Sequence, residues 1–173
     1  MPYLENCAVE YRFEPMTEEH REAVVGIFND YVTSSFAAYP ETPVPLAFFD
    51  RMLEMVKGYC AIVAKGDDGT VVGYGMLRPY HFASTLKRTA ELTYFLKANC
   101  TRHGIGKAIL DLLIGEARRL GIDNLTASVS SLNPASIAFH LKNGFVECGR
   151  FSKVGRKFDQ DFDVIWFQRR LAD

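Results

Sequence analysis

Thr101-Arg102-His103-Gly104-Ile105-Gly106-Lys107-Ala108 stands between a stretch of alternating side chains and an amphipathic one. Glycines spaced this closely let the backbone turn sharply and bring several N–H groups toward one point. The positive end of a following helix adds to that, so the loop reads as an anion site suited to phosphate. Arg102, His103 and Lys107 bring side-chain charge to the same place. An ordinary glycine-containing turn has similar letters, and only the flanking stretches separate the two readings.

Upstream, Thr89 to Leu96 reads as a strand, with Leu92, Tyr94 and Leu96 on one face and Glu91, Thr93 and Phe95 on the other. Downstream, a helix is predicted from Gly104 to Leu120. Ile109, Leu112, Leu113 and Ala117 form its apolar face, and Gly121 stops it. Toward the N-terminus, Val9, Tyr11 and Phe13 alternate with polar residues as a half-buried strand. Thr17 is a good helix cap, and the spacing of Val24, Ile27, Phe28 and Tyr31 carries that helix to about Val32. The proline-rich stretch from Ser34 to Pro45 is a loop, and a second helix runs from Pro45 to Lys57. Cys60–Ala64 and Val71–Leu77 flank the turn signal Lys65-Gly66-Asp67-Asp68-Gly69, a hairpin, and Pro79 to Lys87 is irregular. After the central helix come a strand (Leu125–Val129), a short helix (Pro134–Asn143) closed by Gly144, and strands Phe145–Phe151 and Phe162–Leu171. The order β-α-α-β-β-β-α-β-α-β-β is that of one mixed α/β domain, expected over residues 8–173 with 1–7 as an N-terminal extension.

Composition narrows the function. In 173 residues, 48% hydrophobic and 24% charged, there is material for one core and no sign of a disordered or fibrous chain. Twenty basic against 21 acidic residues leave a net charge of -1, which argues against a broad nucleic-acid surface but leaves room for a local basic pocket. No apolar run approaches the ~18 residues of a membrane span. Met1 to Glu10 contains no Lys or Arg, unlike a secretory signal. Cys7, Cys60, Cys100 and Cys148 lie far apart, without a C-x-x-C pair, and read as reduced thiols of a cytoplasmic protein. His20, His81, His103 and His140 are equally scattered, so no metal is expected.

The common nucleotide loops fail on named residues. A Walker A loop would need a glycine at Thr101 and a hydroxyl at Ala108, and a dinucleotide fingerprint would need a third glycine at Ile109. Instead, Gly104-Ile105-Gly106 resembles the core of the phosphate loop of the GNAT N-acetyltransferases, with Thr101 departing from their usual Arg or Gln. Asn133-Pro134-Ala135-Ser136 through Gly144-Phe145 resembles the Asn-led helix of the same superfamily. The two motifs follow the strand from Thr89 to Leu96 in the family's order. Within the superfamily, the chain from Tyr11 to Leu171 is most similar to phosphinothricin and methionine sulfoximine acetyltransferases. The similar stretches include Ile27-Phe28-Asn29-Asp30-Tyr31, Glu41-Thr42-Pro43 and Val154-Gly155-Arg156-Lys157-Phe158. Phe162-Asp163 departs, because these enzymes often place a histidine before that Asp.

The resemblance implies a mixed, mostly antiparallel sheet with helices on both faces, and acetyl transfer from acetyl-CoA to the primary amine of a small amino-acid-like acceptor. It implies that Arg102, His103, Gly104, Ile105, Gly106 and Lys107 hold the pyrophosphate, with Asn133 and Ser136 beside the pantetheine arm. It also implies a homodimer. Acyl transfer asks for a base, an oxyanion donor and a path for the leaving thiolate. Glu91, a carboxylate in an otherwise apolar strand, is the candidate base, since a desolvated carboxylate takes up a proton more readily. A main-chain N–H near Phe95 or Leu96 would be the oxyanion donor. His140 stands where many relatives place a tyrosine acid, and reads as a proton donor, an orienting group or a packed helix residue. Arg78 or Arg88 would clamp an acceptor carboxylate, with Phe36, Tyr39 and Tyr80 as walls. Transfer to a polyamine, an aminoglycoside or a protein N-terminus, or acyl-CoA sensing without catalysis, are the other readings.

Overall fold

A computed structural model of the chain describes residues 10–171. The expected extension 1–7, Val9 of the first strand and the last two residues lie outside them. Seven strands form one sheet: β1 (Tyr11–Pro15), β2 (Ala61–Gly66), β3 (Val71–Pro79), β4 (Thr89–Leu96), β5 (Asn124–Ser130), β6 (Val146–Lys157) and β7 (Gln160–Arg170). Their spatial order is β1-β2-β3-β4-β5-β7-β6. Every neighbouring pair is antiparallel except β4–β5. The helices are α1 (Arg21–Ser34), α2 (Phe48–Met55), α3 (Ile105–Arg119) and α4 (Pro134–Lys142).

Side-chain alternation along the strands sorts the core into two layers. Leu77, Ala90 and Leu92 pack with Ile105, Ile109, Leu110 and Leu113 of α3. Val63, Tyr74 and Met76 face the other way, onto Val24 and Ile27 of α1 and Phe49 and Met52 of α2. Gly75 permits the close approach of α3, since a Cβ there would lie 2.4 Å from Ile109. The expected α/β architecture, mostly antiparallel with helices on both faces, is the one observed.

Differences from the sequence reading are local. A separate 3-10 turn (Glu18–His20) precedes α1, held by the Thr17 N–H donating to His20 Nδ1 at 3.0 Å. α2 starts at Phe48 because Pro45 to Ala47 form a turn, with Phe48 N–H bonded to the Pro45 carbonyl. β6 runs past Phe151 to Lys157 through a bulge at Lys153, and turns into β7 at Phe158 and Asp159. Cys60 and Cys148 carry free thiols; Cys100 is disulfide-bonded, which corrects the expectation of reduced cysteines for that residue.

The feature that positions the site is the divergence of β4 and β5. They pair only at Thr89↔Asn124, Ala90↔Leu125 and Glu91↔Thr126. On its other edge β4 stays paired with β3 as far as Gly73↔Leu96, and the Lys97 N–H bonds the Val72 carbonyl. Main-chain groups alternate sides along a strand. Odd-numbered residues of β4 therefore bond β3, while Leu92, Tyr94 and Leu96 turn their amides and carbonyls toward the opening.

Candidate active site

The glycine loop lies at the wide end of that opening, where β4 gives way to α3. Gly104 sits in the left-handed region (φ 83) as the residue before the helix, and Arg102 is also left-handed (φ 67). The first helical bond is Ala108 N–H to Gly104 O. The amides of Gly104, Ile105, Gly106 and Lys107 have no protein acceptor among the described residues. Four such donors at a helix N-terminus suit a phosphate group. Around these amides, Lys107 Nζ is paired to Asp111 at 2.6 Å, while Arg102 and His103 are exposed. The cradle is mostly main chain.

Beside it, Asn133 caps α4, its Oδ1 accepting from the Ser136 N–H at 3.2 Å. That oxygen serves the helix. Phe139 of α4 reaches across to Gly106, where a Cβ would sit 3.6 Å from its ring, so α4 and the loop wall the same space.

Phe95 and Leu96 part company in the structure. Phe95 lies on the α1 side among Phe28, Tyr31 and Tyr74, and its amide belongs to the β3 ladder. Leu96 alone of the two presents its amide to the opening. Its carbonyl, turned the same way, accepts from the Tyr31 hydroxyl at 2.7 Å.

On the α1 face, Glu91 is buried at the last β4–β5 pair, 6% exposed. Arg78, its cross-strand neighbour, places Nη2 2.7 Å from Glu91 Oε1. Ser128 Oγ lies 3.5 Å from the same oxygen. The Tyr39 hydroxyl joins this group: burial pushes its pKa up, opposed by a hydrogen bond with Ser128, while the Glu91 charge pushes it further up. Tyr80 stands edge-on to Trp166, which pairs with Ser128 across β5–β7. The expected desolvation of Glu91 is observed, but with a guanidinium attached, so the carboxylate is compensated by charge rather than isolated in an apolar wall. Sequence reasoning missed Ser128 and Trp166, whose only signal is alternation on strands read as ordinary core.

Two candidates stand elsewhere. Arg88 forms an ion pair with Asp123 at the narrow end of the β4–β5 seam. Arg88 lies three residues before Glu91, on the face that Ala90 and Leu92 share with α3, so the structure does not bring it together with Glu91 and Arg78. Phe36, read from the sequence as a wall, packs edge-on against Phe158 and Phe162.

His140 is 3% exposed. Its Nδ1 lies 2.7 Å from the Ser136 carbonyl oxygen, which only accepts, so this nitrogen carries the proton. Burial lowers the ring's pKa below the ordinary histidine value, against the raising effect of that hydrogen bond. The neutral ring leaves Nε2 as an acceptor for the Tyr94 hydroxyl, itself pushed far up by burial. Phe167 stacks on the imidazole at 5.4 Å. Of the roles read from the sequence, the packed helix residue is the one this geometry resembles: both ring nitrogens are taken up, by Ser136 and by Tyr94. Among the described residues no cluster of His, Cys, Asp or Glu is arranged to hold a metal.

A family model described as "Acetyltransferase (GNAT) family" matches residues 24–145, from α1 through α4. The chain belongs to the GNAT acetyltransferase family. Among GNAT relatives it is 32% identical over 152 residues to an L-methionine sulfoximine/L-methionine sulfone acetyltransferase of Pseudomonas aeruginosa, covering 86% of this chain and 87% of that one. A phosphinothricin acetyltransferase from Sinorhizobium meliloti, solved in complex with AcCoA, superposes with a TM-score of 0.88 at 27% identity, over 94% of this chain and 89% of that one. A ribosomal-protein-alanine N-acetyltransferase from Brucella melitensis superposes at 0.85 with 34% identity, over 92% and 99%. These GNAT structures share the sheet and the flanking helices, so the opening between β4 and β5 lies within the common frame.

Proposed function

We propose that the protein transfers acetyl from acetyl-CoA to the primary amine of a small amino-acid-like acceptor of the methionine sulfoximine or phosphinothricin type. The observation that carries this is the buried Glu91 carboxylate at the point where β4 and β5 part, on the face opposite the α3 cradle. Donor and acceptor then meet through the opening from opposite sides of the sheet. The main-chain amides of residues 104–107 hold the pyrophosphate, with Asn133 and Ser136 at the side. The acceptor enters on the α1 face, its ammonium drawn to Glu91 and its carboxylate to the outer edge of Arg78.

Glu91 removes the proton from the ammonium, and the freed nitrogen attacks the thioester carbonyl. Charge develops on the carbonyl oxygen, where the Leu96 amide donates. The C–S bond then breaks, and the thiolate leaves with a proton from the new amide nitrogen or from solvent. A free α-amine has a pKa near ~8, so the base has only a modest deprotonation to assist near neutrality. His140 holds Tyr94 in place at the edge of the opening.

Thiol release from acetyl-CoA with a panel of amines tests the reading. Methionine sulfoximine and phosphinothricin are expected to be turned over faster than polyamines. Glu91→Gln is expected to lower that rate about 10²-fold near neutrality, the usual scale for loss of a general base, with the deficit shrinking at alkaline pH. Acetyl-CoA binding without turnover of any amine would make the protein a sensor. The likeness to the ribosomal-protein-alanine acetyltransferase supports a second reading, transfer to a protein N-terminus; an alanine-led peptide in the same panel decides between them.

The same reading places the enzyme in the cytoplasm, with its acyl donor, as a homodimer. Exposed Val146, Phe151 and Val154 on the edge strand β6 support self-association, and light scattering gives the state directly.

A further inference from the structure

Lys157, the last residue of β6, is 1% exposed and belongs to the largest fully buried side chains of the chain. A buried ammonium is costly unless its protons are taken up. Here Nζ donates to the carbonyl oxygens of Ser35 and Ala38, both at 2.7 Å. It also lies 4.9 Å from the centre of the Phe158 ring, on whose face a cation is favoured. No carboxylate forms an ion pair with it among the described residues. Its partners are main-chain oxygens of one short segment. Ser35 closes α1, so the ammonium also meets the negative end of that helix.

The same segment carries two side chains of the acceptor face. Tyr39 stacks on Phe162 at 5.8 Å and puts its hydroxyl beside Ser128 and Glu91. Phe36 packs on Phe158 and Phe162. Phe162 is seated in turn on Gly155, where a Cβ would meet its ring at 2.1 Å. Loop and hairpin therefore touch through aromatic rings, which tolerate sliding, and through one ammonium with two fixed acceptors, which does not.

We propose that Lys157 is the positioning residue of the acceptor pocket: it fastens residues 35–39 to the β6–β7 hairpin, so that Tyr39 stands beside Glu91 and Phe36 closes the wall. It touches neither acceptor nor acetyl-CoA. The substrate side of this statement rests on the function proposed above; the fastening does not.

Lys157→Met removes the donors at similar length, and Lys157→Gln keeps an NH2 for one of the carbonyls. With methionine sulfoximine as the probe, the Met variant is expected to raise the acceptor KM tenfold or more. Its kcat should stay within threefold and its acetyl-CoA affinity within twofold, with the Gln variant intermediate. Hydrogen exchange should accelerate at the amides of residues 36–39 and stay unchanged along β3 and β4. Unchanged KM and unchanged exchange in a folded Met variant overturn the proposal. A fall in kcat at constant KM with a lower melting temperature does too, since that marks a purely structural residue. If the Met variant fails to fold, the Gln variant decides by the same readouts; failure of both places Lys157 in the fold rather than the pocket. A wild-type enzyme inactive on the probe removes the proposed function, while the exchange measurement still decides the fastening.

Discussion

The two sides of the β4–β5 opening are built from different materials. The side proposed for the donor is one continuous stretch, a strand running into a glycine turn and a helix, and it offers main-chain amides of residues 104–107 that bond no described residue. The side proposed for the acceptor gathers side chains from distant parts of the chain: Tyr39, Arg78, Glu91, Ser128 and Trp166. A main-chain site survives changes of side chain and is sensitive only where a Cβ is forbidden. A side-chain site changes with each substitution and can be retuned from one acceptor to another. Mutations on the two sides should accordingly separate into effects on acetyl-CoA affinity and effects on acceptor use.

After Glu91, the largest effect of that kind is expected at Arg78. Its guanidinium pairs with Glu91 and in the proposed function also meets the acceptor carboxylate, so Arg78→Ala should lower kcat/KM for a carboxylate-bearing acceptor by about thirtyfold, on the order of 2 kcal/mol for a charge-assisted contact. The amide analogue should lose less, because only the Glu91 partner is missing. Equal losses for acid and amide would reduce Arg78 to a support for Glu91. On the donor side, Gly104→Val forces a β-branched residue into the left-handed region. Calorimetry should show acetyl-CoA binding weakened at least ~10-fold, about 1.4 kcal/mol, with acceptor preference unchanged.

His140→Phe should leave most of the turnover and act on stability instead. It strips the Tyr94 hydroxyl and the Ser136 carbonyl of a partner, a loss of about 1–3 kcal/mol in denaturant titrations. Because the folded pKa of His140 is lowered, the unfolded chain binds the extra proton first as pH falls. Its contribution is therefore complete above the ordinary histidine value near ~6.5 and declines as pH drops from there toward the folded value. The Phe variant should lack that part of the acid slope, and a slope identical to the wild type would sink the assignment. The smallest effect is expected at Arg88: its pair with Asp123 is largely exposed on the arginine side, so Arg88→Ala should change stability by no more than ~1 kcal/mol and leave both substrates' kinetics alone.

The contrast between the sides also explains what the sequence revealed. β4 was legible from Thr89 to Leu96 because alternation and its bounding residues agree, and α3 because Gly104 and Gly121, both left-handed, bracket an amphipathic run. The β6–β7 turn was not legible: Phe158 and Asp159 take left-handed conformations usually signalled by Asn-Gly, so both strands read too short. Lys157 fell into that gap, and a lone lysine in a basic, exposed-looking stretch gives no hint of burial. Ser128 and Trp166 are found only by knowing the β5–β7 register. Pairing of Arg78 with Glu91 likewise follows from the β3–β4 register across a connection of irregular length, which no local pattern fixes.

The three-rung seam between β4 and β5 has a corollary. Along β4 beyond Glu91, the main-chain groups of Leu92, Tyr94 and Leu96 face a gap in the sheet, while the side chains beneath it join β4, β5 and β7 in one core with α3. A ligand that lies in the gap and bonds to both edges acts as a further strand, and completes the ladder that the protein leaves open. Its affinity then comes partly from main-chain hydrogen bonds, which a change of side chain along β4 leaves in place.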